Sequence, residues 1–168
     1  MRLAVIADIH GNLPALEAVL EDLCDYRPDA VLNLGDHLSG PLNAAATADL
    51  LMSLNHINIR GNHDRQLVDR PFEAMGLSDR AAHSQLKRRH FAWLEKLHPT
   101  LEWEPGIFLC HGTPATDLEY LVEEIKPAGL RLAKPNYVRE KVANTQAGLI
   151  LCPIPTSPEL SRAPTPSS

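Results

Sequence analysis

Four short apolar runs in this chain each stop at side chains suited to binding a metal or moving a proton. Leu3–Ala7 stops at Asp8-Ile9-His10, Ala30–Leu34 at Gly35-Asp36, Ile57–Ile59 at Gly61-Asn62-His63-Asp64, and Ile107–Cys110 at His111-Gly112-Thr113. Short, continuously apolar runs such as Leu3–Ala7 read as strands buried on both faces. After the first run, Asn12 can cap a helix and Pro14 suits its first turn. Leu16, Val19, Leu20 and Leu23 then recur at helical spacing, which predicts an amphipathic helix over Pro14–Tyr26. Strand, helix and strand in that order form a parallel pair with a right-handed crossover. The pattern therefore predicts an α/β fold.

The rest of the chain extends the pattern. Ala44–Leu54 reads as a second helix before the strand at Ile57. Ser78-Asp79 opens one long helical segment to about Leu97, with Leu86, His90, Trp93, Leu94 and Leu97 along one side. Its Lys87-Arg88-Arg89 cluster reads as a solvated face, because three adjacent charges span most of a helix circumference. Asn136–Asn144 is predicted helical, and Leu149–Leu151 begins another strand. Residues 153–168 contain five prolines and six serines or threonines. Such a stretch cannot offset its own ordering entropy and predicts a disordered tail after a domain at 1–152.

At 168 residues the chain suits one domain with its own core. A net charge of -5 argues against a nucleic-acid or membrane-surface partner, which ordinarily needs a basic face. Cys24, Cys110 and Cys152 form neither a disulfide framework nor a zinc pattern. The apolar start before Asp8 is too short for a signal peptide or a membrane span. A reducing cytoplasm is the expected location.

Asp8, His10, Asp36, Asn62 and His111 all follow strands, and strand carboxyl ends form the functional edge of an open α/β sheet. Asp8 and His10 are two apart, so both can face one side. Gly11, Gly35, Gly61 and Gly112 stand beside them, where a larger side chain would hinder tight turns. Mixed oxygen and nitrogen donors suit Mn²⁺, Fe or Zn²⁺ better than a thiolate-seeking metal. A carboxylate such as Asp36 can bridge two cations, and two cations ~3.5–4 Å apart clamp the attacking and leaving oxygens of a displacement. Asp-x-His or Gly-Asp alone is a common turn; all four motifs in this order are specific.

Asp8-Ile9-His10, Gly35-Asp36, Gly61-Asn62-His63-Asp64 and Cys110-His111-Gly112-Thr113 resemble the successive motifs of the calcineurin-like metallophosphoesterases. The resemblance covers about residues 1–152 and is nearest to the small bacterial and archaeal phosphodiesterase or phosphatase branch. It implies an α-β-β-α sandwich and metal-dependent hydrolysis of phosphate mono- or diesters with two divalent ions, Mn²⁺ foremost, with Fe, Zn²⁺ or Ni²⁺ as alternatives. It also implies that Asp8, His10 and a bridging Asp36 hold one metal, while Asp36, Asn62 and His111 hold the other. His63 would contact the phosphoryl group and protonate or stabilise the leaving oxygen, with Asp64 orienting it. Attack would be in line, without a covalent enzyme intermediate.

The family's last motif, Gly-His-x-His or a close relative, would follow a strand like Leu149–Cys152. Here Pro153-Ile154-Pro155-Thr156 follows, and no histidine occurs after His111. The second sheet is therefore expected to be incomplete and turnover impaired. Pro153–Arg162 can be encoded so that another frame reads His-Ser-His-Ile-Pro-Arg-Thr-Val-Ala, so a frameshifted tail is the favoured origin. A non-catalytic metal- or phosphate-binding module is the alternative function. A nuclease is disfavoured by the acidic chain, and Cys110 reads as a buried strand-end thiol rather than a nucleophile.

Overall fold

The computed structural model describes residues 1–126 and 129–153. The disordered-tail expectation, from Ile154 onward, lies outside the described residues. Three parallel strands form the first sheet in the order β1-β2-β3: β1 Leu3–Ile6, β2 Ala30–Asn33 and β3 Ile57–Asn58. Between them run α1 (Leu13–Tyr26) and α2 (Ala44–Ser53), as their apolar spacing predicts. Asn12 caps α1 by accepting the Ala15 N–H at 3.2 Å, and Asn43 caps α2 from Ala46 at 3.3 Å. Each cap satisfies a donor that the first helical turn leaves unpaired.

The chain then forms α3 (Asn62–Asp69), α4 (Leu77–His83) and α5 (Arg88–Leu94). The single long helix expected from residue 78 to 97 is thus two short ones. Lys87 is extended at φ -108° and ψ 162°, which breaks the helical path. Its N–H donates to His90 Nδ1 at 3.1 Å, while His90 Nε2 donates to Asp49 on α2 at 2.9 Å. Arg89 forks onto the same carboxylate, so one member of the basic cluster is paired rather than merely solvated.

The second sheet has the order β4-β5-β8: β4 Thr100–Glu104, β5 Ile107–Cys110 and β8 Leu149–Leu151. Strand β4 runs antiparallel to β5, and β8 runs parallel to it. A hairpin of β6 (Glu123–Lys126) and β7 (Gly129–Leu132) and helix α6 (Pro135–Val142) lie between β5 and β8 in sequence. Leu32 in β2, with Leu34 and Ile59 just past the ends of β2 and β3, packs with Leu109 from the second sheet, joined by Leu101, Trp103 and Leu151. A separate cluster of Leu38, Ala48, Leu67, Ala82 and Leu94 binds α2 through α5 together. The architecture is an α/β sandwich of two facing sheets with helices outside.

One burial expectation needs correction. Side chains alternate along a strand, so Val5 shares a face with Leu3 and Ala7, which pack into the inter-sheet core. Val5 is nevertheless 44% exposed. It does not join the cluster that Leu3 and Ala7 pack against. No helix among the described residues is long and apolar enough to cross a membrane.

Candidate metal centre

The loops after β1 and β2 carry unusual backbone. Asp8, His10 and Asp36 sit at φ of 55°, 50° and 57°, the left-handed region that L side chains rarely adopt. Each such residue costs ~1–3 kcal/mol and persists only where its surroundings over-determine it. Here a short ladder does so. Asp8 N–H donates to the Gly35 carbonyl and His10 N–H to the Asp36 carbonyl, both at 3.0 Å, and Gly11 N–H to the His37 carbonyl at 2.9 Å. The strained geometry turns three side chains toward one another: one donor atom each from Asp8, His10 and Asp36 lies within 4.8 Å of the others.

The histidines are held with one nitrogen aimed inward. His10 Nδ1 donates to the Ser39 carbonyl at 2.7 Å, and His111 Nδ1 to the Leu34 carbonyl at 2.7 Å. A carbonyl can only accept, so each Nδ1 carries the proton in the neutral ring and each Nε2 presents a lone pair. His10 Nε2 lies 3.8 Å from Asp8 Oδ1 and 3.9 Å from Asp36 Oδ2, and His111 Nε2 lies 3.3 Å from Asp36 Oδ2. The donor set therefore fits divalent cations: oriented imidazoles and carboxylates converge on one space. Asp8, His10, Asp36, Asn62, His63 and His111 line a single cavity of about 150 Å³, with Asp117, Tyr120 and Pro153.

Close approach demands the glycines at two of these positions. A Cβ on Gly61 would stand 2.2 Å from Asp36 Oδ1, and one on Gly35 would stand 2.4 Å from the Gly61 nitrogen. Neither neighbour can withdraw without moving the Asp36 loop.

Asp64 has a different role from the one expected. It is fully buried and does not orient His63. Its carboxylate instead accepts N–H groups from Asp36 and His37 at 2.9 Å and from Gly61 at 3.0 Å, and pairs with His37 Nδ1 at 2.7 Å. Consecutive residues on a helix project about 100° apart, so Asp64 and His63 face different ways. Asp79, near the start of α4, takes the expected place: its Oδ1 accepts from His63 Nδ1 at 3.1 Å and from Ser39 Oγ at 2.5 Å. Sequence reasoning had treated Asp79 only as the opening of a helix. It also missed Asp117, which Arg65 grips through two bonds of 2.7 and 2.9 Å. The 52-residue separation of those partners hid the pair.

Charge within the cavity is strongly coupled. Burial raises the Asp8 carboxyl, and the neighbouring Asp36 pushes the same way against His111 and His10. Burial disfavours the charged His111 ring, but Asp36, the Leu34 carbonyl and Asp8 outweigh it and raise the group to about 9. In the metal-free protein a raised folded pKa adds stability that is complete below the unfolded value of 6.5 and lost as pH rises through about 9. Thermal melts in excess chelator should show His111-linked stability declining over that window. Metal binding should release a proton from His111 at neutral pH, which calorimetry in buffers of different ionisation enthalpy would detect.

The chain resembles known proteins in both sequence and fold. A metallophosphoesterase from Sphaerobacter thermophilus is 30% identical, with a TM-score of 0.61 over 73% of this chain and 52% of that one. A hypothetical protein from Pyrococcus horikoshii OT3 shares the fold, with a TM-score of 0.70 at 18% identity over 90% of this chain and 68% of its own. An uncharacterized protein of Methanocaldococcus jannaschii is 40% identical over 62 residues, which are 37% of this chain and 26% of that relative. The chain thus spans about a quarter of the curated relative and about half of the Sphaerobacter protein. The calcineurin-like phosphoesterase family matches residues 1–144. Since that match takes in every strand-end motif that lines the cavity, the chain belongs to the calcineurin-like phosphoesterase family.

Proposed function

We propose that this site hydrolyses phosphate mono- or diesters with two divalent cations, Mn²⁺ foremost. The observation that carries the reading is the convergence of Asp8, His10, Asp36, Asn62, His63 and His111 on one cavity, with both histidine Nε2 atoms turned inward. Asp8, His10 and Asp36 would hold one cation, and Asp36, Asn62 and His111 the other. Bound there, the cations would supply Lewis-acid charge and lower the pKa of a coordinated water. The three free cysteines suit a reducing compartment such as the cytoplasm.

His63 carries the proton chemistry in this reading. Its backbone N–H donates to Asp36 Oδ1 at 2.9 Å, which ties the helix start to the metal-binding loop. Its Nδ1–H is committed to Asp79, leaving Nε2 for the departing ester oxygen. Asp79 positions the ring and supports the imidazolium, as a carboxylate partner of a general acid does. Ser39 holds Asp79 in turn.

We also infer that turnover is low. Pro153-Ile154-Pro155-Thr156 follows β8 where the resemblance places the Gly-His-x-His motif, so that position supplies neither cation with a further ligand. Loss of outer partners alone costs ~10–100-fold in affinity or activity, and loss of direct ligands costs more. The same observation favours a second reading, a module that binds metal or phosphate without hydrolysis. Hydrolysis of p-nitrophenyl phosphate and its bis ester in added Mn²⁺ separates the two. His63→Ala should lower the measured rate ~10²–10⁴-fold or to the metal-only background. Asp79→Asn should lower kcat by about tenfold or more with little change in Mn²⁺ affinity, because it frees the wrong His63 tautomer. Equal rates for the parent chain and His63→Ala would leave only the binding reading.

A further inference from the structure

A second cavity, of about 270 Å³, shares the walls His111 and Asp117 with the metal cavity. Arg60, Arg65, Thr100, Thr113 and Thr116 complete its polar lining. Its two guanidinium groups are not equivalent. Arg65 is occupied by the bidentate pair with Asp117, so the two charges offset each other. Arg60, half-buried at the end of β3, has no carboxylate partner among the described residues, and its buried Nε has no hydrogen-bond partner. Its backbone N–H donates to the His98 carbonyl at 2.8 Å.

The hydroxyls differ in the same way. Thr113 Oγ1 donates to the Thr116 carbonyl at 3.3 Å and accepts the Thr116 N–H at 3.2 Å, so it is spent on its own turn. Thr116 Oγ1 accepts from Leu118 N–H at 3.3 Å, which leaves its proton to donate. The cavity is thus lined by a guanidinium with no carboxylate partner among the described residues and by a hydroxyl with a free proton. An anion is the ligand that can take a charge-assisted bond from the first and a hydrogen bond from the second. The volume lies below the ~300–1,000 Å³ of drug-sized sites, which suits one anionic group on a short tail.

We propose that the cavity formed by Arg60, Thr116 and the Arg65–Asp117 pair is a second anion site, which seats a phosphate or carboxylate carried by the same ester whose phosphoryl group enters the metal cavity. This rests on the hydrolytic reading and narrows it. The preferred substrates are esters with a further anionic group close to the scissile phosphate. Neutral alkyl or aryl esters engage only the metal cavity and are poorer substrates.

Binding and turnover test this separately. Inorganic phosphate titrated into metal-free protein should shift the backbone amide resonances of Thr113, Ala115 and Thr116. Arg60→Gln should weaken that binding by about tenfold or more, since it removes a charge-assisted bond. Arg60→Lys keeps the charge without the fork and should stay within about tenfold of the parent chain. Acetate in place of phosphate identifies which anion the site prefers. Absence of shifts in that loop, or unchanged phosphate binding in a folded Arg60→Gln, overturns the site. With Mn²⁺ present, Arg60→Gln should lower kcat/KM for an anion-bearing ester by about tenfold and leave p-nitrophenyl phosphate unchanged. Phosphate binding through Arg60 without hydrolysis of any ester upholds the anion site and overturns the hydrolytic reading beside it.

Discussion

Asp64→Ala is expected to destabilise the fold by about 3–5 kcal/mol, the cost of breaking a buried pair from one side. Four groups lose their acceptor at once: the N–H groups of Asp36, His37 and Gly61, and the His37 ring. All of them stand in the two loops that present Asp36 and begin α3. Denaturant unfolding of the metal-free protein measures the loss. Wild-type pH dependence supplies an independent check. Burial pushes the Asp64 carboxyl up, but the His37 ring and the backbone donors outweigh it and hold the group below its ordinary 3.8. A depressed folded pKa contributes stability above the unfolded value and loses it as pH falls. Part of the acid unfolding below about pH 4 should therefore vanish in the variant. If Asp64→Ala unfolds like the parent chain and loses only turnover, the orienting role expected from its place beside His63 is restored.

The second large effect concerns Asp36. Asp36→Asn keeps the shape and an oxygen for the His63 N–H but removes the charge that faces His10 and His111. Mn²⁺ affinity should fall by more than about 100-fold, since even outer partners of ligands cost ~10–100-fold. A readout without metal accompanies it. Asp36 is the leading group that raises His111, against burial that lowers it. Without that charge, the His111 titration followed by NMR should move down from about 9 toward or below 6.5. Retention of both parent values would remove Asp36 from the centre of the site.

The strand-end motifs were legible because two local signals coincide there. An apolar run marks each buried strand, and the residue after it must lie on the edge where strands release the chain. Asp8, His10, Asp36, Asn62, His63 and His111 all obey that rule, and all reach the same cavity. Asp79 and Asp117 do not follow strands that end at the site. They arrive through contacts spanning 16 and 52 residues, to His63 and Arg65, and no local pattern reports such contacts. Strand β4 carries a readable alternation in Leu101 and Trp103, whereas β6 and β7 expose Ile125 and Leu132 and offer little apolar contrast.

Thus the amino-acid order alone determined the α/β class, the first three strands with their crossover helices, and which strand-end side chains line the shared cavity. Hydrophobic period and strand-end chemistry are short-range properties, so they survive in a one-dimensional reading. The tertiary structure decided what each carboxylate does. Asp64 became a buried clamp and Asp79 the partner of His63 because helix geometry turns neighbouring side chains apart and packing brings α4 against the start of α3. It also decided that Arg60, beside that cavity, has no carboxylate partner among the described residues, because a charge's partners are set by long-range packing.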